Sequence, residues 1–186
     1  MSKIIITLII CLIVIFIYEM VMSHLRQMDR RNIYILATRR AKQLGRKLIV
    51  IGDPHNGIGS GLYNLANYHP YKCNDIMIDY LPCKKCKSNK TCKVMDGDIV
   101  QMLQKLEDDK YVIFASGVLE YVPHIKESIK EINRVAGSSD NIFIFHVQPY
   151  SLIAYLYPGF LLGHENAKNI ISNAPPYSDH IIFKKI

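Results

Sequence analysis

The sequence predicts an α/β fold, a doubly wound and mostly parallel sheet preceded by one transmembrane helix, and three observations lead there. Tyr111–Val147 reads as an apolar strand, a turn, an amphipathic helix stopped near Gly137 and a second apolar strand. Strand–helix–strand is the unit from which parallel sheets are built. Short apolar runs of buried type, KLIVI from Lys47 and DIMID from Asp75, end in glycine or aspartate, as strands of such a sheet do. Residues 4–22 form an almost unbroken apolar run whose one charge is Glu19.

That run is the first element. Its 19 residues would span roughly 28 Å as a helix, close to the hydrocarbon thickness of a bilayer. A cleaved signal peptide is the rival, but it wants a shorter apolar core and a small-residue cleavage site, and none follows Met22. Residues 1–23 are therefore expected to be a retained, single-pass anchor.

Charge marks the next segment, 24–46. Between His24 and Lys47 lie eight basic residues (Arg26, Arg30, Arg31, Arg39, Arg40, Lys42, Arg46, Lys47) and one acid, Asp29. This surplus of seven equals that of the whole chain, so the remainder balances to zero. A basic excess against an apolar span is read first as lipid-facing, with residues 4–22 and 26–47 contacting membrane lipids. It places the following domain in the cytoplasm by the positive-inside rule. Nucleic-acid binding is the weaker alternative. Leu25–Leu44 lacks Pro and Gly and has an apolar stripe at Met28, Ile33, Leu36, Ala37, Ala41 and Leu44, so it reads as a helix stopped at Gly45. Two positions suit that stripe: the membrane surface, or one face of the sheet.

Residues 47–186 then carry the α/β domain. A strand, Lys47–Pro54, is followed by the loop HNGIGSG and a helix from about Ser60 to Tyr68. A second strand, Asn74–Tyr80, carries Asp79 near its end, and a short third strand lies around Val94–Met95. DGDIVQMLQKLEDD reads as an acid-tipped turn and helix before the strand at Tyr111. Beyond Pro149 an apolar, aromatic stretch is broken by NAPPYSD, and His180–Phe183 is a candidate last strand.

Ligands of open α/β sheets bind at the carboxyl ends of the strands, and four features fall there. Gly52 and Gly57, with Gly59 and Gly61, follow the first strand, where glycine lets backbone amides approach a ligand. Asp79 ends the second, where a carboxylate can accept both ribose hydroxyl protons. Asp96-Gly97-Asp98 follows the third. Ser116 and Gly117, with Leu119 and Glu120, follow the fourth. Glycines and acids also end strands for turn chemistry alone, and that reading stands beside the functional one.

The stretch from Lys47 to Pro149 resembles class I S-adenosylmethionine-dependent methyltransferases, which have a Rossmann-like fold. The resemblance is carried by the turn Val118-Leu119-Glu120-Tyr121-Val122, by Glu131-x-x-Arg134-Val135 at the end of a helix, and by Asp96-Gly97-Asp98. It implies a cofactor site for S-adenosylmethionine on Gly52, Gly57, Asp79, Asp96, Asp98, Ser116, Gly117 and Glu120. It also implies a sheet shortened at its C-terminal side, because about forty residues follow the fifth strand. Where the family's first loop reads G-x-G-x-G, this chain has Gly52-Asp53-Pro54-His55-Asn56-Gly57, and Pro54 lacks the N–H that the second glycine supplies. GDPHNG also invites comparison with metallophosphoesterases, but their downstream Asn-His pair is absent from the sequence.

Cys73, Cys83, Cys86 and Cys92 fall within twenty residues, and Cys83-Lys84-Lys85-Cys86 has the spacing of a zinc knuckle. Four thiolates could close a structural Zn²⁺ site; plain reduced thiols and a redox pair are the alternatives. His146 and the Tyr150–Phe160 aromatics are read first as strand-end and core residues. The expectation is a membrane-anchored methyltransferase-like protein whose methyl acceptor the sequence does not name. Its alternative is a catalytically inactive scaffold of the same fold, which the altered first loop favours.

Overall fold

A computed structural model of the chain describes residues 3–52, 76–79, 93–116, 118–119 and 122–145. Its first element, α1 (Lys3–Leu44), is one helix of 42 residues, about 63 Å long at 1.5 Å per residue. It runs straight through the boundary expected at residue 23. The change there is from apolar to basic side chains, and neither a proline nor a glycine interrupts the backbone before Gly45. The helix closes on paired bonds, Gly45 N–H to Lys42 O (3.2 Å) and Arg46 N–H to Ala41 O (2.9 Å), which satisfy two of its last carbonyls.

The tight turn at Gly45 leads into a small parallel sheet flanked by helices. Its strands are β1 (Lys47–Ile51), β2 (Ile76–Asp79), β3 (Lys93–Asp96), β4 (Tyr111–Ser116) and β5 (Ile142–Phe145). They lie in the order β3-β2-β1-β4-β5, every neighbouring pair parallel. Between β3 and β4 comes the short helix α2 (Ile99–Leu103), and between β4 and β5 come α3 (Ile125–Ala136) and a 3₁₀ turn, Ser139–Asn141. Each described strand falls within or beside its expected segment.

Strand side chains alternate between two faces, and both faces are covered. Ile49, Ile51, Ile78, Ile113 and Ile144 face α2 and α3, where Leu103, Ile132 and Val135 are fully buried. Leu48, Val50, Val112, Phe114 and Phe143 face the opposite way, onto Ile33, Tyr34, Ala37 and Ala41 of α1. The apolar stripe of α1's second half therefore lies on the sheet, and the Tyr34 and Phe114 rings meet edge-to-face at 5.6 Å. Full burial of a residue such as Ile33 contributes roughly 1.5–3 kcal/mol.

The other half of α1 differs in kind. Lys3–Val21 is long and apolar enough to cross a membrane, and its large apolar side chains from Ile4 to Tyr18 are exposed; Ile4 is 71% and Leu12 65% exposed. A helix belonging to a soluble core would bury such residues. Glu19, the one charge in the run, is buried.

Polar contacts close the amino edge of the sheet. Arg46 Nη1 pairs with Asp109 Oδ1 at 2.8 Å and donates to Ala136 O at 3.3 Å. Asn141 Nδ2 donates to the same carbonyl (2.9 Å), and Arg40 Nε donates to Asn141 Oδ1 (3.1 Å). Two side chains read as lipid-facing are thus engaged with the domain itself. Gly137 ends α3 at φ +70°, its N–H on Asn133 O at 2.9 Å, and a Cβ there would stand 1.9 Å from Asp109 Oδ1. Both the left-handed backbone and the crowding require glycine.

Candidate functional site

The strand order reverses between β1 and β4, because the chain leaves β1 toward β2 on one side and returns to β4 on the other. In open α/β sheets the crevice outside the carboxyl ends at such a reversal is where ligands bind. Four of the expected residues arrive at this edge. Gly52 follows β1 directly, and Asp79, Asp96 and Ser116 are the last residues of β2, β3 and β4. Asp79 and Asp96 are register partners, as are Ser116 and Phe145.

Backbone bonds tie these ends together. Gly52 N–H donates to Ile78 O and Gly97 N–H to Asp79 O, each at 3.1 Å. Asp79 is half-buried at the tip of its strand. Asp98 serves its own helix: as N-cap of α2 its Oδ1 accepts from Val100 N–H (2.9 Å) and Gln101 N–H (3.3 Å). This is the ordinary work of an aspartate before a helix, and it engages one of the oxygens assigned to a cofactor.

Gly52 has a structural duty as well. Its φ is +79°, and an added Cβ would lie 2.2 Å from Val118 Cβ. Leu119 is buried, and Val118 and Val122 pack against the core formed with α2 and α3. Val118, just past β4, thus lies against the exit of β1, and the glycine is what lets the two segments approach.

Gly57, Gly117 and Glu120 lie outside the described residues, as do Pro54 and the four cysteines Cys73, Cys83, Cys86 and Cys92. Among the described residues, no three side chains of His, Cys, Asp or Glu gather as a metal site would need.

No protein-family model, curated protein or solved structure matches the chain.

Sequence reasoning missed the role of Arg134, which lies at the far end of the domain from these residues. Its Nη2 donates to Leu103 O (2.8 Å), its Nη1 to Leu106 O (3.0 Å) and to the Asp108 carboxylate, and its Nε to Glu131 Oε2 (2.7 Å). The guanidinium fork binds α3 to the end of α2. The bond that Arg134 donates to Glu131 chiefly, against partial burial and with help from Asp108, raises the Arg134 pKa above its already high ordinary value. The signal was present in the i,i+3 spacing of Glu131 and Arg134 and in the acid run Glu107-Asp108-Asp109.

Proposed function

We propose that the chain is a single-pass membrane protein whose cytoplasmic, Rossmann-like domain binds S-adenosylmethionine and transfers its methyl group. The observation that carries this reading is the strand order β3-β2-β1-β4-β5, all parallel, with Gly52, Asp79, Asp96 and Ser116 at adjoining carboxyl ends. That order is the core of doubly wound nucleotide-binding sheets. In this reading Asp79 accepts hydrogen bonds from the ribose hydroxyls, the backbone after Gly52 faces the amino-acid portion, and Asp96–Asp98 borders the adenine. Gly57, Gly117 and Glu120 complete the pocket as the family resemblance implies. The cofactor supplies an activated methyl group on sulfur; the protein's part is to hold donor and acceptor in line, from which most of the rate of such a displacement derives.

The anchor reading is supported by the outward-facing apolar half of α1 and by the basic residues that follow. The four clustered cysteines are our candidate for a structural zinc site, supported by the Cys83–Cys86 spacing. Elemental analysis of freshly reduced protein should find about one zinc per chain, a count lost in a Cys83→Ser, Cys86→Ser variant.

Calorimetric titration of the full chain in lipid nanodiscs with S-adenosylhomocysteine tests the function, and saturable binding is the expected result. No binding at millimolar concentration would sink it. The second reading, an inactive scaffold of the same fold, is favoured by Asp98's engagement as a helix cap and by Val118 occupying the space beside Gly52. It would then take the first one's place.

A further inference from the structure

We propose that the carboxyl edge of the sheet is turned toward the bilayer, and that the acceptor methylated there is an anionic membrane lipid, met at its headgroup. This rests on the methyl-transfer reading above, for which it names the acceptor class, and on Lys3–Val21 spanning the membrane.

Three contacts fix the direction of α1 against the strands. Arg46, just past its end, pairs with Asp109 ahead of β4. Arg40 meets Asn141, the residue before β5. Tyr34, further back toward the N-terminus, meets Phe114 edge-to-face in the second half of β4. Going back along α1 from Arg46 to Tyr34 therefore means going forward along the strands. The helix and the sheet are antiparallel, and the carboxyl ends point to the half of α1 that crosses the membrane.

The same contacts set the height. Ser116 lies two residues beyond Phe114, roughly 7 Å along the strand, which equals about four or five helical residues. The carboxyl edge is therefore level with about Arg30. From there to Val21, where the apolar span ends, nine residues of helix cover about 14 Å. The headgroup layer fills roughly 5–8 Å of that gap. The opposite edge, at Lys47 and Tyr111, is farther away by the length of a strand.

Charge on this stretch selects the kind of lipid. Arg26 lies between Val21 and the level of Ser116, the half-buried Arg30 stands at that level and Arg31 follows it, with Asp29 the one acid among them. Basic residues so close to a membrane attract anionic headgroups. In the reaction, a lone pair on a headgroup oxygen or nitrogen forms a bond to the methyl carbon. The carbon–sulfur bond breaks with its electron pair left on sulfur, and any proton on the acceptor atom passes to water.

The test uses the full chain in nanodiscs of phosphatidylcholine and phosphatidylglycerol, some lipids carrying a gadolinium chelate on the headgroup. Trifluoromethylphenylalanine replaces His124 or Lys110, both exposed residues. His124 precedes α3 at the carboxyl edge, and Lys110 precedes β4 at the amino edge. The ¹⁹F resonance at position 124 should broaden several-fold more than that at 110; equal or reversed broadening overturns the orientation. In the same discs, methyl-tritiated S-adenosylmethionine should leave label in the organic lipid extract. Retained S-adenosylhomocysteine binding without lipid label overturns the acceptor class alone. Loss of binding overturns the methyl-transfer reading, and the acceptor falls with it, while the ¹⁹F comparison still decides which edge faces the membrane.

Discussion

Gly52 and Val118 stand so close that a Cβ on the glycine would lie 2.2 Å from the valine's Cβ, and Gly52 holds a φ of +79°. Together they join the exits of β1 and β4, the two strands between which the sheet's order reverses. Gly52→Ala should therefore destabilise the domain by about 2–4 kcal/mol, from left-handed strain and overpacking. The valine's Cβ is the nearest clashing atom and its two methyls clash as well, each at 2.8 Å, so adding Val118→Ala should relieve only part of the steric cost, whereas adding Val118→Gly should relieve it. Urea unfolding checks this; a Gly52→Ala protein as stable as wild type would contradict it.

Arg134 gives a second expectation. Arg134→Ala takes the guanidinium donor from the Leu106 carbonyl and leaves the Leu103 carbonyl with the Leu106 N–H, and should lower stability by about 1–3 kcal/mol, with little of it from exposed Asp108. Arg134→Lys should recover only a fraction, because a single ammonium cannot reproduce the fork. The folded-state pKa of Arg134 is raised. Its contribution is thus complete below the unfolded value and is lost only as pH rises through the folded one. The stability difference between wild type and Arg134→Ala should then stay flat from about pH 6 to about pH 9. A difference that shrinks across that range would show that another group carries the effect.

The continuity of α1 sets where the chain can be cut. Removing Ser2–Ser23 keeps Ile33, Tyr34, Ala37 and Ala41 on the sheet and should yield a soluble, monodisperse domain. Removing Ser2–Leu36 takes away Ile33 and Tyr34, uncovers Phe114 and should yield aggregates on size-exclusion chromatography. The full chain should resist extraction by alkaline carbonate. Quantitative extraction would show that Lys3–Val21 does not hold the protein in a membrane.

Much of this architecture is legible in the residues, for physical reasons. The strands announce themselves as short apolar runs, and α3 by its periodicity and the glycine that stops it. Asp79 is found at a strand end because the run Ile76–Ile78 breaks there. What the residues do not carry is the order of the strands, which depends on contacts far apart in sequence, and that order is what brings Gly52, Asp79 and Ser116 to neighbouring places. The length of α1 was missed because a change of composition at residue 23 is not a helix stop. Arg40 and Arg46 stand near the apolar span in sequence, whereas their partners, Asn141 and Asp109, lie far along the chain. Asp98 shows the converse: an acid at a strand–helix junction serves as a cap whether or not a ligand is bound.

The central claim, a cofactor held at the carboxyl edge of the sheet, is tested most directly at Asp79. Its carboxylate is expected to accept both ribose hydroxyls, and hydrogen bonds to a charged partner contribute about 1.5–3 kcal/mol. Titration of the full chain with S-adenosylhomocysteine should therefore show Asp79→Ala binding roughly ten- to a hundredfold more weakly than wild type. A Glu107→Ala control, exposed and beyond α2, should bind as wild type does. Equal affinity in the Asp79→Ala and wild-type proteins, or no affinity in either, would contradict the account.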